Sequence, residues 1–206
     1  MNRLDIVAFD ARSHGLSDAA GAGAPSPGTD LVTVVEALGL APTLAAGHSM
    51  GAGTVSEAIA ERPDLFRAAV LEDPAWMSAA KVAEVMEMAR QAAAAATTMS
   101  SLEVSERFGS PPSDRVDHAN WEEAKRQHRQ PEWKGVLPSI FETPWEDSVR
   151  RFRCPVLLVW GTHGLVTAEI VEEARHLFPP LEDVQLDAGH CLRYEAFDSY
   201  LAAVET

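Results

Sequence analysis

Cysteine is nearly absent from this chain, with Cys154 and Cys191 the only two in 206 residues. They make no disulfide framework, and a lone cysteine is most often inert core. Aromatic residues are sparse at 7%, and the 17 basic residues are outnumbered by 31 acidic ones. The formal net charge of −14 argues against nucleic acid or an anionic membrane surface as a partner, since both attract positive charge. No run of about 18 apolar residues is present to cross a membrane. Met1–Val7 leads straight into an apolar stretch without the pattern of a signal peptide, so the expected compartment is the cytoplasm. The seven histidines include no H-E-x-x-H or Cys/His ligand spacing, so neither a metal nor a cofactor is expected.

What the chain does have is one dense motif. The apolar run Thr43–Ala46 stops at Gly47-His48-Ser49-Met50-Gly51, and helix-favouring residues continue from Ala52 to Glu61. Small-x-Ser-x-small between a strand and a helix is the pattern of a nucleophile elbow. A serine on so sharp a turn needs glycine on both sides, because neighbouring backbone comes too close for a Cβ. The first N–H groups of the following helix lack intrahelical partners and can stabilise an oxyanion. Gly51-Ala52-Gly53-Thr54-Val55-Ser56 also allows a dinucleotide-loop reading, with Glu72 and Asp73 at a suitable distance. Ser56 stands where that fingerprint needs Gly or Ala, and the elbow accounts for more of the glycines.

Strand and helix patterns alternate on either side of this motif. Leu4–Phe9 reads as a strand running into the polar turn Asp10–Ser17, and Ala19–Gly28 reads as a loop. Asp30 is expected to cap a helix whose Leu31, Val34, Val35 and Leu38 share one face, with Gly39 as its stop. Leu65–Leu71 and Pro155–Trp160 read as strands, the latter apolar throughout, as in a parallel strand buried on both faces. Thr167–Leu177 reads as a helix, Asp183–Leu186 as a short strand, and Leu192–Val204 as a closing helix. Between the halves the rhythm breaks: an Ala-rich helix over Ser78–Thr97, further helical pieces up to Gln130, and Thr143-Pro144-Trp145-Glu146 as a capping box. The fold class is α/β, a mostly parallel sheet flanked by helices. Residues 1–75 and 146–206 form the core and residues 76–145 a helical cap, far longer than an ordinary connection.

Three separated blocks, Asp10-x-Arg12-x-His14-Gly15-x-Ser17, Gly47-His48-Ser49-Met50-Gly51 and Ala188-Gly189-His190, fall in the order and context of the α/β-hydrolase fold, and the chain resembles that superfamily over nearly its whole length outside the insertion. By that resemblance Ser49 is the nucleophile, the Met50 N–H an oxyanion donor and His190 the general base, with His48 a structural residue of the elbow. The acid departs from the usual pattern. In most members it follows the strand before the last, but Gly161–Thr167 carries no carboxylate, and Glu169 falls in a first helical turn. Glu72-Asp73-Pro74-Ala75 occupies the place that some pancreatic-type lipases and dehalogenases use, so Asp73 is the expected acid and Glu169 the alternative.

The resemblance also implies three strands and an oxyanion loop ahead of Leu4, one of those strands lying inside the sheet. Direct pairing of the first two strands present, a strand from another chain, or a start at an internal Met of a longer protein would each resolve the gap; the last is the expectation. The implied function is a serine hydrolase of small carboxylic ester or related acyl substrates. Trp76, Met77, Met86, Met88, Trp121, Trp133 and Phe141 of the insertion serve either as an apolar pocket or as lid packing. Carbon–carbon hydrolysis of dienoic ketoacids and cofactor-free perhydrolysis use the same constellation. A ligand-binding or inactive homologue is the alternative of another class, and homo-oligomerisation is left open.

Overall fold

Four of the apolar stretches become strands of one parallel sheet: β1 (Thr43–His48), β2 (Phe66–Glu72), β3 (Val156–Gly161) and β4 (Leu181–Leu186), hydrogen-bonded in the order β1-β2-β3-β4. The computed structural model describes residues 5–21, 23–95, 98–100, 103, 107 and 143–205. The helices are α1 (Pro27–Ala37), α2 (Met50–Glu61), α3 (Ala79–Ala95), α4 (Trp145–Val149), α5 (Ala168–Leu177), α6 (Leu192–Glu195) and α7 (Phe197–Val204). The central strands β2 and β3 are buried along nearly their whole length, whereas β1 exposes Leu44 and Ala46 and β4 exposes Glu182 and Gln185, as edge strands do. This is the α/β architecture expected, and it gathers the C-terminal ends of the strands at one rim, where parallel sheets bind ligands.

The sheet separates two apolar layers. On one face Val32 and Val35 of α1, Ala52, Val55, Ala58 and Ile59 of α2, Val149 of α4, and Val171 and Ala174 of α5 pack with Leu71, Val156 and Leu158. On the other, Leu192, Ala196 and Tyr200 from the closing helices pack on Val70, Val159 and Leu186. Ala52, Ala58 and Ile59 are fully buried, so α2 lies directly against the strands that lead into and out of it. Small side chains allow that close approach, and it holds the start of α2 at the rim.

Several local expectations are corrected. Residues 5–10 form no strand and do not pair with β1; Ile6, Val7 and Phe9 are exposed. An apolar run becomes a strand only where a neighbour accepts its backbone hydrogen bonds, and β1 pairs with β2 alone among the described residues. Asp30 does not cap α1. Ser26 does, its hydroxyl accepting from Thr29 N–H, with Pro27 at the first helical position. Asp30 instead receives Arg12 Nε–H at 2.9 Å, which ties the Asp10–Ser17 turn to the helix. The Thr143 capping box does not form: Pro144 is the N-cap of α4, with no side-chain hydrogen bond. The closing helix breaks at Ala196, whose φ of −141° and ψ of 51° are not helical. The Glu195 carboxylate turns back to Gly189 and Cys191 N–H, so the short turn α6 is held by the loop before it.

Within residues 76–145, α3 matches the Ala-rich helix. The last helical piece expected, ending at Gln130, lies outside the described residues together with Trp121, Trp133 and Phe141. The two ends of the span meet: Trp76 and Trp145 stack with ring centroids 5.1 Å apart and planes 16° from parallel. Trp76 and Met77 are buried, whereas Met88 is exposed.

Candidate active site

Ser49 sits between β1 and α2 with φ 54° and ψ −115°, a conformation that costs a non-glycine residue roughly 1–3 kcal/mol. Its N–H donates to Glu72 O at 2.9 Å, and its carbonyl accepts from Gly53 N–H at 3.0 Å and Ala75 N–H at 3.3 Å. The turn is therefore clamped from both sides. Gly47 makes it possible: a Cβ there would lie 2.3 Å from Gly51 O and 2.6 Å from Ala52 N. Gly51 is different, since a Cβ there meets nothing within 4 Å. The expectation that both flanking glycines are forced by close backbone holds for Gly47 alone. Met50 opens α2, so no carbonyl within the helix can accept its N–H.

Asp73 follows β2 in the same way, at φ 37°, and is fully buried. Its N–H donates to Val159 O at 2.8 Å. Its carboxylate accepts Leu165 N–H at 2.8 Å and Val166 N–H at 3.1 Å. Both amides belong to the loop after β3, the segment that carries no carboxylate of its own. That loop contributes two backbone donors to a carboxylate from the neighbouring strand. Gly164 leaves room for it, since a Cβ there would lie 2.5 Å from an Asp73 oxygen.

His190, on the loop after β4, completes the arrangement. Its Nδ1–H donates to Asp73 Oδ2 at 2.6 Å, and its Nε2 accepts the Ser49 hydroxyl at 2.9 Å. The structure thus brings Ser49, His190 and Asp73 into one hydrogen-bonded chain with Met50 N–H beside it. Glu169 is not part of it: exposed in the first turn of α5, its carboxyl is held below the ordinary value by the Thr167 hydroxyl. Nδ1–H bonded to a carboxylate leaves Nε2 with a free lone pair, the tautomer able to take a proton from the serine. Cys191, next to His190, has its thiol pushed up by burial and stays protonated.

A family model described as the alpha/beta hydrolase family matches residues 2–203. The chain belongs to the α/β hydrolase family. No curated protein matches it. Among solved structures, E-2-(acetamidomethylene)succinate hydrolase is 22% identical with a TM-score of 0.74, over 95% of this chain and 78% of that one. The enol-lactonase from Burkholderia xenovorans LB400 is 21% identical with a TM-score of 0.69, over 95% and 77%. A thermophilic esterase from Thermogutta terrifontis, with malate bound, is 18% identical with a TM-score of 0.67, over 95% and 76%. At these identities the likeness is one of fold.

Two features of this α/β hydrolase family member were not legible from its motifs. One is a cavity of about 300 Å³ beside the elbow, lined among others by Gly53, Trp76, Met77, Val82 and Trp145. Trp76 Nε1 is buried there without a hydrogen-bond partner among the described residues. The other is a polar cluster under the elbow, in which Arg193 Nη1–H donates to the buried Glu72 at 2.7 Å and His48 Nε2–H donates to His190 O at 2.8 Å. Nothing in the sequence links positions so far apart.

Proposed function

We propose that this protein is a serine hydrolase acting on a small carboxylic ester or related acyl substrate. The observation that carries this reading is the unbroken run of hydrogen bonds from Ser49 Oγ through His190 to Asp73. A serine hydroxyl is a weak nucleophile until an imidazole takes its proton as the bond to carbon forms. In this reading Ser49 Oγ attacks the acyl carbon while His190 Nε2 accepts the proton. Asp73, charged and buried, holds the ring and offsets the imidazolium charge. Met50 N–H, aided by the helix behind it, faces the oxygen on which charge develops. His190 then returns the proton to the leaving group, and water repeats the sequence in reverse to free the acid from the acyl-enzyme.

Residues 76–145 are proposed as the cap over this site. The Trp76–Trp145 cavity, of mixed lining that includes Glu57 and Glu146 and reached from Ser49 through Gly53 and Ala75, is proposed to take up part of the substrate. The three similar structures are named for cleavage of an acetamido compound, an enol-lactone and esters, chemistry that passes through one tetrahedral oxyanion. That supports an acyl substrate and leaves its identity open. The test is intact mass after treatment with a fluorophosphonate, with Ser49→Ala alongside. A single adduct that the variant lacks is the expected result. A folded chain that takes up no adduct refutes the proposal and favours a ligand-binding role for the same cavity.

A further inference from the structure

A second polar set lies one residue before the first on each strand. Ser49 and Asp73 follow β1 and β2; His48 and Glu72 are the last residues of those strands and face each other in the parallel register. Glu72 is 2% exposed, and a buried carboxylate left unpaired costs several kcal/mol. Arg193 of α6 compensates it, with Nη1–H on one oxygen at 2.7 Å and its backbone N–H on the other at 3.3 Å. Burial opposes the Arg193 charge, but Glu72 more than offsets this and raises the guanidinium above its ordinary value. The other arm of Arg193 reaches His48 Nδ1 at 3.5 Å.

This geometry selects one form of His48. Burial holds its imidazole below the ordinary value, so the neutral ring has one donor nitrogen and one acceptor. Nε2 lies 2.8 Å from the His190 carbonyl, which can only accept, so Nε2 carries the proton. Nδ1 then offers its lone pair to Arg193. The rings of His48 and His190 also touch, with centroids 4.6 Å apart and planes at 40°. His190 belongs to a loop, so what holds its backbone carbonyl sets where its ring points.

We propose that His48, fixed in its Nε2–H tautomer by Arg193 and Glu72, is a positioning residue that holds His190 in line between Ser49 and Asp73. This rests on the reading of His190 as general base. Two replacements separate the hydrogen bond from the ring. His48→Phe keeps a flat ring but has no N–H; His48→Gln supplies an N–H without the ring. On an activated ester, His48→Phe is expected to lower kcat about 10- to 100-fold with KM unchanged, the size of effect that misplacement of a reacting group produces. His48→Gln is expected to recover most of that loss.

A readout independent of turnover is the downfield proton resonance of His190 Nδ1–H, bonded to Asp73. It is expected to shift and broaden in His48→Phe and to return in His48→Gln. Wild-type kcat and an unmoved resonance in His48→Phe would overturn the proposal, as would equal loss in both variants or a loss confined to KM. If His48→Phe does not fold, the paired Glu72→Gln/Arg193→Gln variant removes the tautomer lock without stranding a charge, and an unchanged His190 resonance there would equally overturn it. Should fluorophosphonate fail to label the wild-type protein, the hydrolase reading falls, while the resonance still decides the role of His48.

Discussion

Replacing Asp73 by Asn tests the chain of hydrogen bonds most directly, because the substitution is nearly isosteric and changes only what each atom can donate and the charge it carries. The carboxylate accepts three hydrogen bonds, from Leu165 N–H, Val166 N–H and His190 Nδ1–H. An amide has one oxygen and one NH₂. Turning the NH₂ toward the loop would set donors against donors, leaving each buried group unsatisfied at about 1–3 kcal/mol. Leu165 N–H and His190 Nδ1–H share Oδ2, whereas Val166 N–H lies on Oδ1, so in either orientation the amide sets its NH₂ against one loop N–H. With the NH₂ in place of Oδ2, Nδ1 must accept and the ring proton moves to Nε2, where it opposes the Ser49 hydroxyl; with the oxygen there the tautomer is kept, but no charge offsets the imidazolium. In an unrelated serine protease the equivalent change costs about 10⁴-fold in kcat, or about 5.5 kcal/mol of transition-state stabilisation. We expect a loss of up to that order here, with the fold retained but weakened by about 1–3 kcal/mol at the loop amide that meets the NH₂. The assay is single-turnover hydrolysis of an activated ester alongside fluorophosphonate labelling, with circular dichroism to confirm folding. A folded Asp73→Asn variant that labels and turns over at the wild-type rate would refute the role assigned to Asp73.

Gly47→Ala is expected to be destabilised by about 1–3 kcal/mol or more, since the new Cβ meets backbone that cannot move aside, and denaturant melting would show it. Gly51→Ala, with open space around the new methyl, should instead gain up to about 1 kcal/mol from helix propensity in the same experiment. Burial, reinforced by the charge of Glu72, pushes the Tyr200 hydroxyl up to about 12 from its ordinary 10.0. A raised folded-state value gives stability that is fully present below pH 10 and lost as the pH climbs through about 12. Phenolate absorbance should show Tyr200 ionising late, and Tyr200→Phe should flatten the alkaline fall in stability.

The sequence carried the parts of this molecule that local pattern can encode. Gly47–Gly51 is legible because a strained turn demands a particular string of neighbours. The β3 strand is legible because burial on both faces demands an unbroken apolar run. Asp73 was within reach because Gly161–Thr167 contains no carboxylate, which directs attention to the end of the adjacent strand. What could not be read depends on partners far along the chain. Residues 5–10 have strand composition but no neighbour to pair with. Glu72 looks like any acidic residue at a strand end, and only the fold reveals that Arg193 neutralises it. Ala196 breaks the closing helix with neither proline nor glycine, because Glu195 turns back to the loop before it.

The site is also spread unusually widely along the chain. His190 meets Asp73 across 117 positions and Ser49 across 141. No hairpin or single βαβ unit contains it, and the closure of both long loops must precede the first productive contact. Contacts of such sequence separation form late and slowly. Recovery of serine reactivity during refolding should therefore follow the recovery of secondary structure, so that a covalent probe of Ser49 reads out completion of the whole sheet.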